Sequence, residues 1–99
     1  MHLINNNLQR IINLCRLHRV DKLFVFGSIL TPRFNENSDV DLVVNFKDIP
    51  PEEYADNYIC LKDDLVQLFG RDVDLLEDGG IRNKILRANI DRTKLLIYG

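Results

Sequence analysis

Apolar positions along this chain change period several times, and each change marks an element. Ile4, Leu8, Ile11, Ile12 and Cys15 recur at helical spacing, which predicts an amphipathic helix over residues 3–18. Leu23 to Phe26 is a short apolar run with two aromatic residues, closed by Gly27, and reads as a buried strand. Residues 29–38 hold Thr, Pro, two Asn and a Ser, the composition of a loop with room for one helical turn. Val40 to Phe46 reads as a second strand.

Asp48 to Gly70 predicts a long helix. Pro50 and Pro51 suit its entry, Glu52 and Glu53 complement the positive end of its dipole, and Gly70 suits its stop. Tyr54, Tyr58, Leu61, Leu65 and Leu68 form its apolar stripe, facing a sheet. Val73 to Leu76 is a third short strand, Gly79-Gly80 a turn, and Ile81, Ile85, Leu86 and Ile90 a further helix. Lys94 to Tyr98 reads as a closing strand, with Tyr98 either on the core or at a contact between copies. The order of elements predicts an α/β (α+β) fold, a small mixed sheet flanked by helices, as one domain over residues 1–99. No linker, low-complexity tract or long repeat interrupts it, although "DVDL" occurs at both 39–42 and 72–75.

Composition narrows the class. Hydrophobic residues make up 45% and charged residues 28%, ordinary for a globular domain. A net charge of −2 argues against a protein held on nucleic acid by bulk electrostatics; Arg10, Arg16, Arg19 and Lys22 read as a solvated helix face. The N-terminus has no uninterrupted apolar core and no run approaches a membrane span, so the expectation is a soluble cytoplasmic protein. Cys15 and Cys60 form no metal-binding spacing and fall on helical apolar positions, which reads as two buried small hydrophobes. His18, at the end of the first helix, suits that helix's negative end.

The second strand carries charges among its apolar residues. On a strand, residues i and i+2 share a face, so Asp39 and Asp41 project together while Val40 and Leu42 pack on the other side. Burying an unpaired carboxylate is costly, and two adjacent carboxylates raise each other's pKa. Basic side chains, or a loop position for Asp39, would relieve this; a divalent cation with oxygen preference suits the pair better. Gly27-Ser28 ends the preceding strand at a sharp turn, where glycine allows close approach to the backbone and free amides with a hydroxyl suit an anion. Phosphate at the turn and metal at the carboxylates is the arrangement a nucleoside triphosphate requires. Asp74, again a charge inside an apolar strand, completes a three-carboxylate cluster if its strand neighbours the second one; Asp72, at the strand entry, is the competitor. Three carboxylates can hold two Mg²⁺ ions that steady the attacking and leaving oxygens of a phosphoryl displacement.

Gly27-Ser28, ten residues, then Asp39-Val40-Asp41 resembles the signature of the DNA polymerase β-like nucleotidyltransferase superfamily, and the chain's length resembles its minimal, MNT or MntA-like, branch. The resemblance runs through "FGS", "SDVDLVV", the long helix, "DVDLL" and the closing "IYG". It implies that Gly27 and Ser28 hold the triphosphate and that Asp39, Asp41 and Asp74 bind two Mg²⁺ ions, or Mn²⁺ in their place. Asp74 would also orient or deprotonate the acceptor hydroxyl, which attacks the α-phosphorus with loss of pyrophosphate. Ser38 matches the family pattern; Thr31 stands where relatives often carry arginine, and Arg33, two positions on, is the candidate phosphate contact in "ILTPRF". Relatives of this size pair with HEPN-domain toxins as antitoxins, so the resemblance implies an ATP-using transferase acting on a HEPN tyrosine. The alternative it leaves is a nucleotidyltransferase-fold module that neutralises a partner by binding alone. A core this small leaves one side of the site open, which implies a partner that completes the site or is itself the substrate, in a homo- or hetero-oligomer.

Overall fold

The computed structural model describes all 99 residues. Its elements are α1 (His2–Asn6), α2 (Leu8–Leu17), β1 (Val20–Phe26), β2 (Val40–Phe46), α3 (Pro51–Phe69), β3 (Val73–Glu77), α4 (Lys84–Thr93) and β4 (Leu95–Tyr98). Single 3₁₀ turns follow β1 at Gly27–Leu30 and β3 at Asp78–Gly80. The sheet order is β3-β2-β1-β4. β1 pairs antiparallel with β2 and β4, whereas β2 and β3 run parallel. Parallel neighbours need a long crossover, and α3 supplies it. The expected mixed sheet with flanking helices is therefore present.

One face of the sheet packs against α1, α2 and α3. Its core joins Ile4, Ile11 and Cys15 to Leu23 and Val25 of β1, Val40, Leu42 and Val44 of β2, Leu61, Leu65 and Phe69 of α3, and Val73 and Leu75 of β3. β2 is central, and Val43, pointing the other way, is also fully buried. Tyr54 stacks edge-on against Phe46 with centroids 5.4 Å apart, and Tyr98 is half-buried against the core. No helix is long and apolar enough to cross a membrane.

Several expectations are corrected in detail. The helix over 3–18 is two helices, broken at Asn7, whose side-chain amide donates to the Leu3 carbonyl at 2.8 Å. An Asn that bonds the local backbone competes with the helical ladder, and here it ends α1 after five residues. Leu8 is consequently exposed. α3 starts at Pro51, not Asp48, because a residue preceding proline is driven to extended backbone, as Pro50 is at ψ 138°. Its end is as expected: Gly70 caps it at φ 66°. Cys60 is exposed, since adjacent Leu61 takes the inward position and the next helical residue turns away. In α4 only Ile90 is buried; Asn83 caps the helix by accepting from the Ile85 and Leu86 N–H groups, and both side chains are exposed.

Candidate active site

The site forms where β1, β2 and β3 bring one polar stripe into register. Phe26 of β1 stands opposite Asp41 of β2, and Asp41 stands opposite Asp74 of β3. The apolar neighbours Val40, Leu42, Val73 and Leu75 all go to the helix-covered face. Period-two alternation thus puts the carboxylates of Asp41 and Asp74 on the face away from the main core. Asp39 is exposed, just ahead of β2, and its charge reaches Asp41.

The Gly-Ser turn is packed against this stripe. Gly27 adopts φ +78°, a conformation glycine enters without steric cost. A Cβ built there would collide with Oδ2 of Asp41 and lie 3.1 Å from its Cγ. The Ser28 backbone N–H lies on the Asp41 side of the turn and favours the charged carboxylate. Thr31 closes the turn twice on the Ser28 carbonyl, through its N–H at 2.9 Å and its hydroxyl at 2.7 Å. Asp41's pKa is raised, first by burial, then by the charges of Asp74 and Asp39, against the lowering effect of the Ser28 N–H.

Asp72 lies just ahead of β3, and the charges that act on Asp41 are those of Asp74 and Asp39, not that of Asp72. Its side chain is exposed, while its backbone carbonyl accepts the Val40 N–H at 3.1 Å. Arg33 is exposed, with its backbone N–H donating to the Thr31 hydroxyl at 3.3 Å. Ser38 sits within the loop: its hydroxyl accepts the Asn35 N–H at 3.0 Å. The structure therefore sets the Gly27-Ser28 turn against Asp41, with Asp74 opposite it in register and Asp39 within electrostatic reach, and places Arg33 and Ser38 in the loop between the turn and β2.

The donor set is all carboxylate oxygen, which suits a hard dication such as Mg²⁺. The three side chains are not drawn close enough together to form a metal-holding group as they stand. Nor is the site a deep pocket: none of the three main surface clefts is lined by Asp39, Asp41 or Asp74.

Two residues near the site escaped the sequence reading of chemistry. Tyr58 reaches from α3 to donate its hydroxyl to the Leu75 carbonyl at 2.5 Å, on the residue after Asp74. Its pKa is raised, first by burial and then by Glu77 and Asp74. Arg71 donates from Nη1 to the carbonyls of Asn35 at 2.9 Å and Ser38 at 3.0 Å. Tyr58 was legible as a stripe residue, but nothing in the sequence links Arg71 to a loop 33–36 positions upstream.

Comparison with known proteins agrees with this geometry. The family model for the nucleotidyltransferase domain matches residues 9–96. A candidate protein adenylyltransferase of Methanocaldococcus jannaschii is 33% identical over 81 residues, covering 82% of this chain and 78% of the relative. A solved candidate minimal nucleotidyltransferase superposes with a TM-score of 0.77 at 28% identity, covering 96% of this chain and 95% of the other. At fold level, a chain from a complex of tri-AMPylated Shewanella oneidensis HEPN toxin with MNT antitoxin superposes with a TM-score of 0.66 at 20% identity, covering 96% and 71%. With the acids, the glycine turn and the sheet register all in place, the chain belongs to the nucleotidyltransferase-domain family.

Proposed function

We propose that this nucleotidyltransferase transfers AMP from ATP to a hydroxyl on a partner protein, a tyrosine of a HEPN-type toxin, and so acts as the antitoxin of a pair. The observation that carries the chemistry is the β2–β3 register that sets Asp41 opposite Asp74, with Asp39 within electrostatic reach. The likeness to a candidate protein adenylyltransferase and to a chain of a HEPN–MNT complex supports the acceptor class. An open site on so small a core also suits a macromolecular acceptor, which can itself close over the nucleotide.

In this reading Asp39, Asp41 and Asp74 would hold two Mg²⁺ ions, which would supply positive charge against the triphosphate and the charge that develops in transfer. Gly27 leaves the space in which Asp41 lies, and the Ser28 side and Arg33 face the phosphates. Asp74 orients the acceptor hydroxyl and accepts its proton. The oxygen–phosphorus bond to the α-phosphorus forms as the α–β anhydride bond breaks, and pyrophosphate leaves.

Incubation with α-labelled ATP, Mg²⁺ and the product of the neighbouring gene tests this. Label is expected on the partner, and Asp39→Asn and Asp41→Asn should each abolish it. Transfer that survives both changes would sink the assignment.

A second reading rests on Thr31, whose hydroxyl is tied to the turn where relatives often carry arginine. In it, the fold neutralises its partner by binding alone. Calorimetry separates the two: tight partner binding without Mg-ATP binding favours the second.

A further inference from the structure

We infer that Arg71 is the positioning residue for Asp39, fixing the loop that presents this carboxylate to the site. The inference rests on the role for Asp39 proposed above. Residues 35–38 form a closed turn: the Ser38 N–H donates to the Asn35 carbonyl at 3.1 Å, the Asn35 N–H to the Ser38 hydroxyl at 3.0 Å, and the Asn37 N–H to Asn35 Oδ1 at 2.8 Å. Arg71 grips both ends of it through the Asn35 and Ser38 carbonyls. Its guanidinium also lies 4.8 Å from the Phe34 ring centroid, the geometry of a cation–π contact.

Immediately after Asp39, the Val40 N–H donates to the Asp72 carbonyl at 3.1 Å. The dipeptide Arg71-Asp72 therefore holds the backbone on both sides of Asp39. Asp39 itself is exposed, so backbone constraint has to supply what packing does not. Gly70 makes this possible: its left-handed cap ends α3 and turns the chain so that the next residue lies beside the loop. This also assigns Asp72 its part, through its carbonyl and not its carboxylate.

The test uses the full-length protein, Arg71→Met, which keeps much of the stem, and Arg71→Lys, which restores a donor. Mn²⁺ without nucleotide is titrated calorimetrically, and amide hydrogen exchange is followed in the apo protein. In Arg71→Met, exchange at Asn35, Asn37, Ser38 and Val40 should accelerate about tenfold, as for loss of one or two hydrogen bonds, with Leu23 and Val25 unchanged. Mn²⁺ affinity should fall about tenfold, the scale seen when a ligand loses its supporting contacts. Arg71→Lys should recover most of both. Removing a positive charge near carboxylates would by itself strengthen cation binding, so the direction of the change separates positioning from electrostatics. Unchanged loop exchange, equal acceleration in β1, or undiminished Mn²⁺ affinity overturns the inference. If the wild type takes up no Mn²⁺, the functional proposal fails separately, and the exchange result alone decides the clamp.

Discussion

Gly27 and Asp41 share one space: the carboxylate of Asp41 occupies the volume that any side chain at position 27 would need. The turn and the carboxylate strand are thus mutually fitted. Gly27→Ala forces a Cβ into Asp41 and places alanine at φ +78°, where a non-glycine residue is strained. The expected cost is about 1–3 kcal/mol, seen as a fall in Tm of roughly 5–15 °C, together with loss of nucleotide transfer. A variant with wild-type Tm and activity would show that the turn and Asp41 are not coupled.

Asp41 sets a pH dependence of stability. Its pKa in the folded state is raised by burial and by Asp74 and Asp39, so the fold holds this proton more tightly than the unfolded chain does. Stability of the metal-free protein therefore declines as pH rises from the ordinary value of 3.8 through the raised folded value, and stays lower above it. Asp41→Asn keeps an acceptor for the Ser28 N–H and removes the charge. Its Tm should exceed the wild type's near neutral pH, and the difference should close in acid. Thermal scans of both proteins across pH 3–8 check this, and a gap that is constant with pH would contradict it.

Metal should reverse that penalty. Mg²⁺ or Mn²⁺ with nucleotide stabilises whatever folded state binds it, by about 2.7 kcal/mol at a hundredfold excess over Kd. An upward shift of Tm is expected in the wild type, and none in Asp39→Asn or Asp41→Asn. A shift in those variants equal to the wild type's would place the ions elsewhere.

Much of this site was legible because its charges interrupt apolar strands. Asp41 and Asp74 stood out against Val40, Leu42, Val73 and Leu75, and period-two alternation fixed their face before any pairing was known. Gly27 was legible as a strand-ending turn, but not its fit against Asp41, which depends on β1–β2 register. The break at Asn7 had a signal, the run Asn5-Asn6-Asn7, outweighed by the helical period on either side. Cys60 carried a weaker signal: Leu61, and not Cys60, continues the i, i+3, i+4 stripe of Tyr54, Tyr58, Leu65 and Leu68, and Cys60 lies 100° away from it. Arg71 had none. A lone arginine after a helix-ending glycine reads as surface, and its partners are carbonyls, which sequence patterns do not mark.

The two cysteines should differ sharply in reactivity. Cys15 is fully buried, and burial pushes its thiol up to about 12, leaving almost no thiolate at neutral pH. Cys60 is exposed on α3. In the native protein a thiol reagent should modify one cysteine rapidly, identified as Cys60 by peptide mapping, and both only in denaturant. Rapid native labelling of Cys15 would mean that α2 opens readily from the sheet.

His18 provides a control remote from the chemistry. Its ring is buried, and Nε2 lies 2.7 Å from Oδ2 of Asp64, a pairing of α2's end with α3 in place of the expected helix-dipole role alone. Asn57 adds a bond from its side-chain amide to the His18 carbonyl at 2.8 Å. Asp64→Ala leaves a buried imidazole without its partner, which costs about 1–3 kcal/mol. Denaturant unfolding should show a lower midpoint with an unchanged m-value, since the surface exposed on unfolding is nearly the same. Mn²⁺ affinity and nucleotide transfer should stay at wild-type levels below the new transition. A loss of metal binding in Asp64→Ala would mean that the helical layer, and not only β2, β3 and the Gly-Ser turn, sets the geometry of the carboxylates.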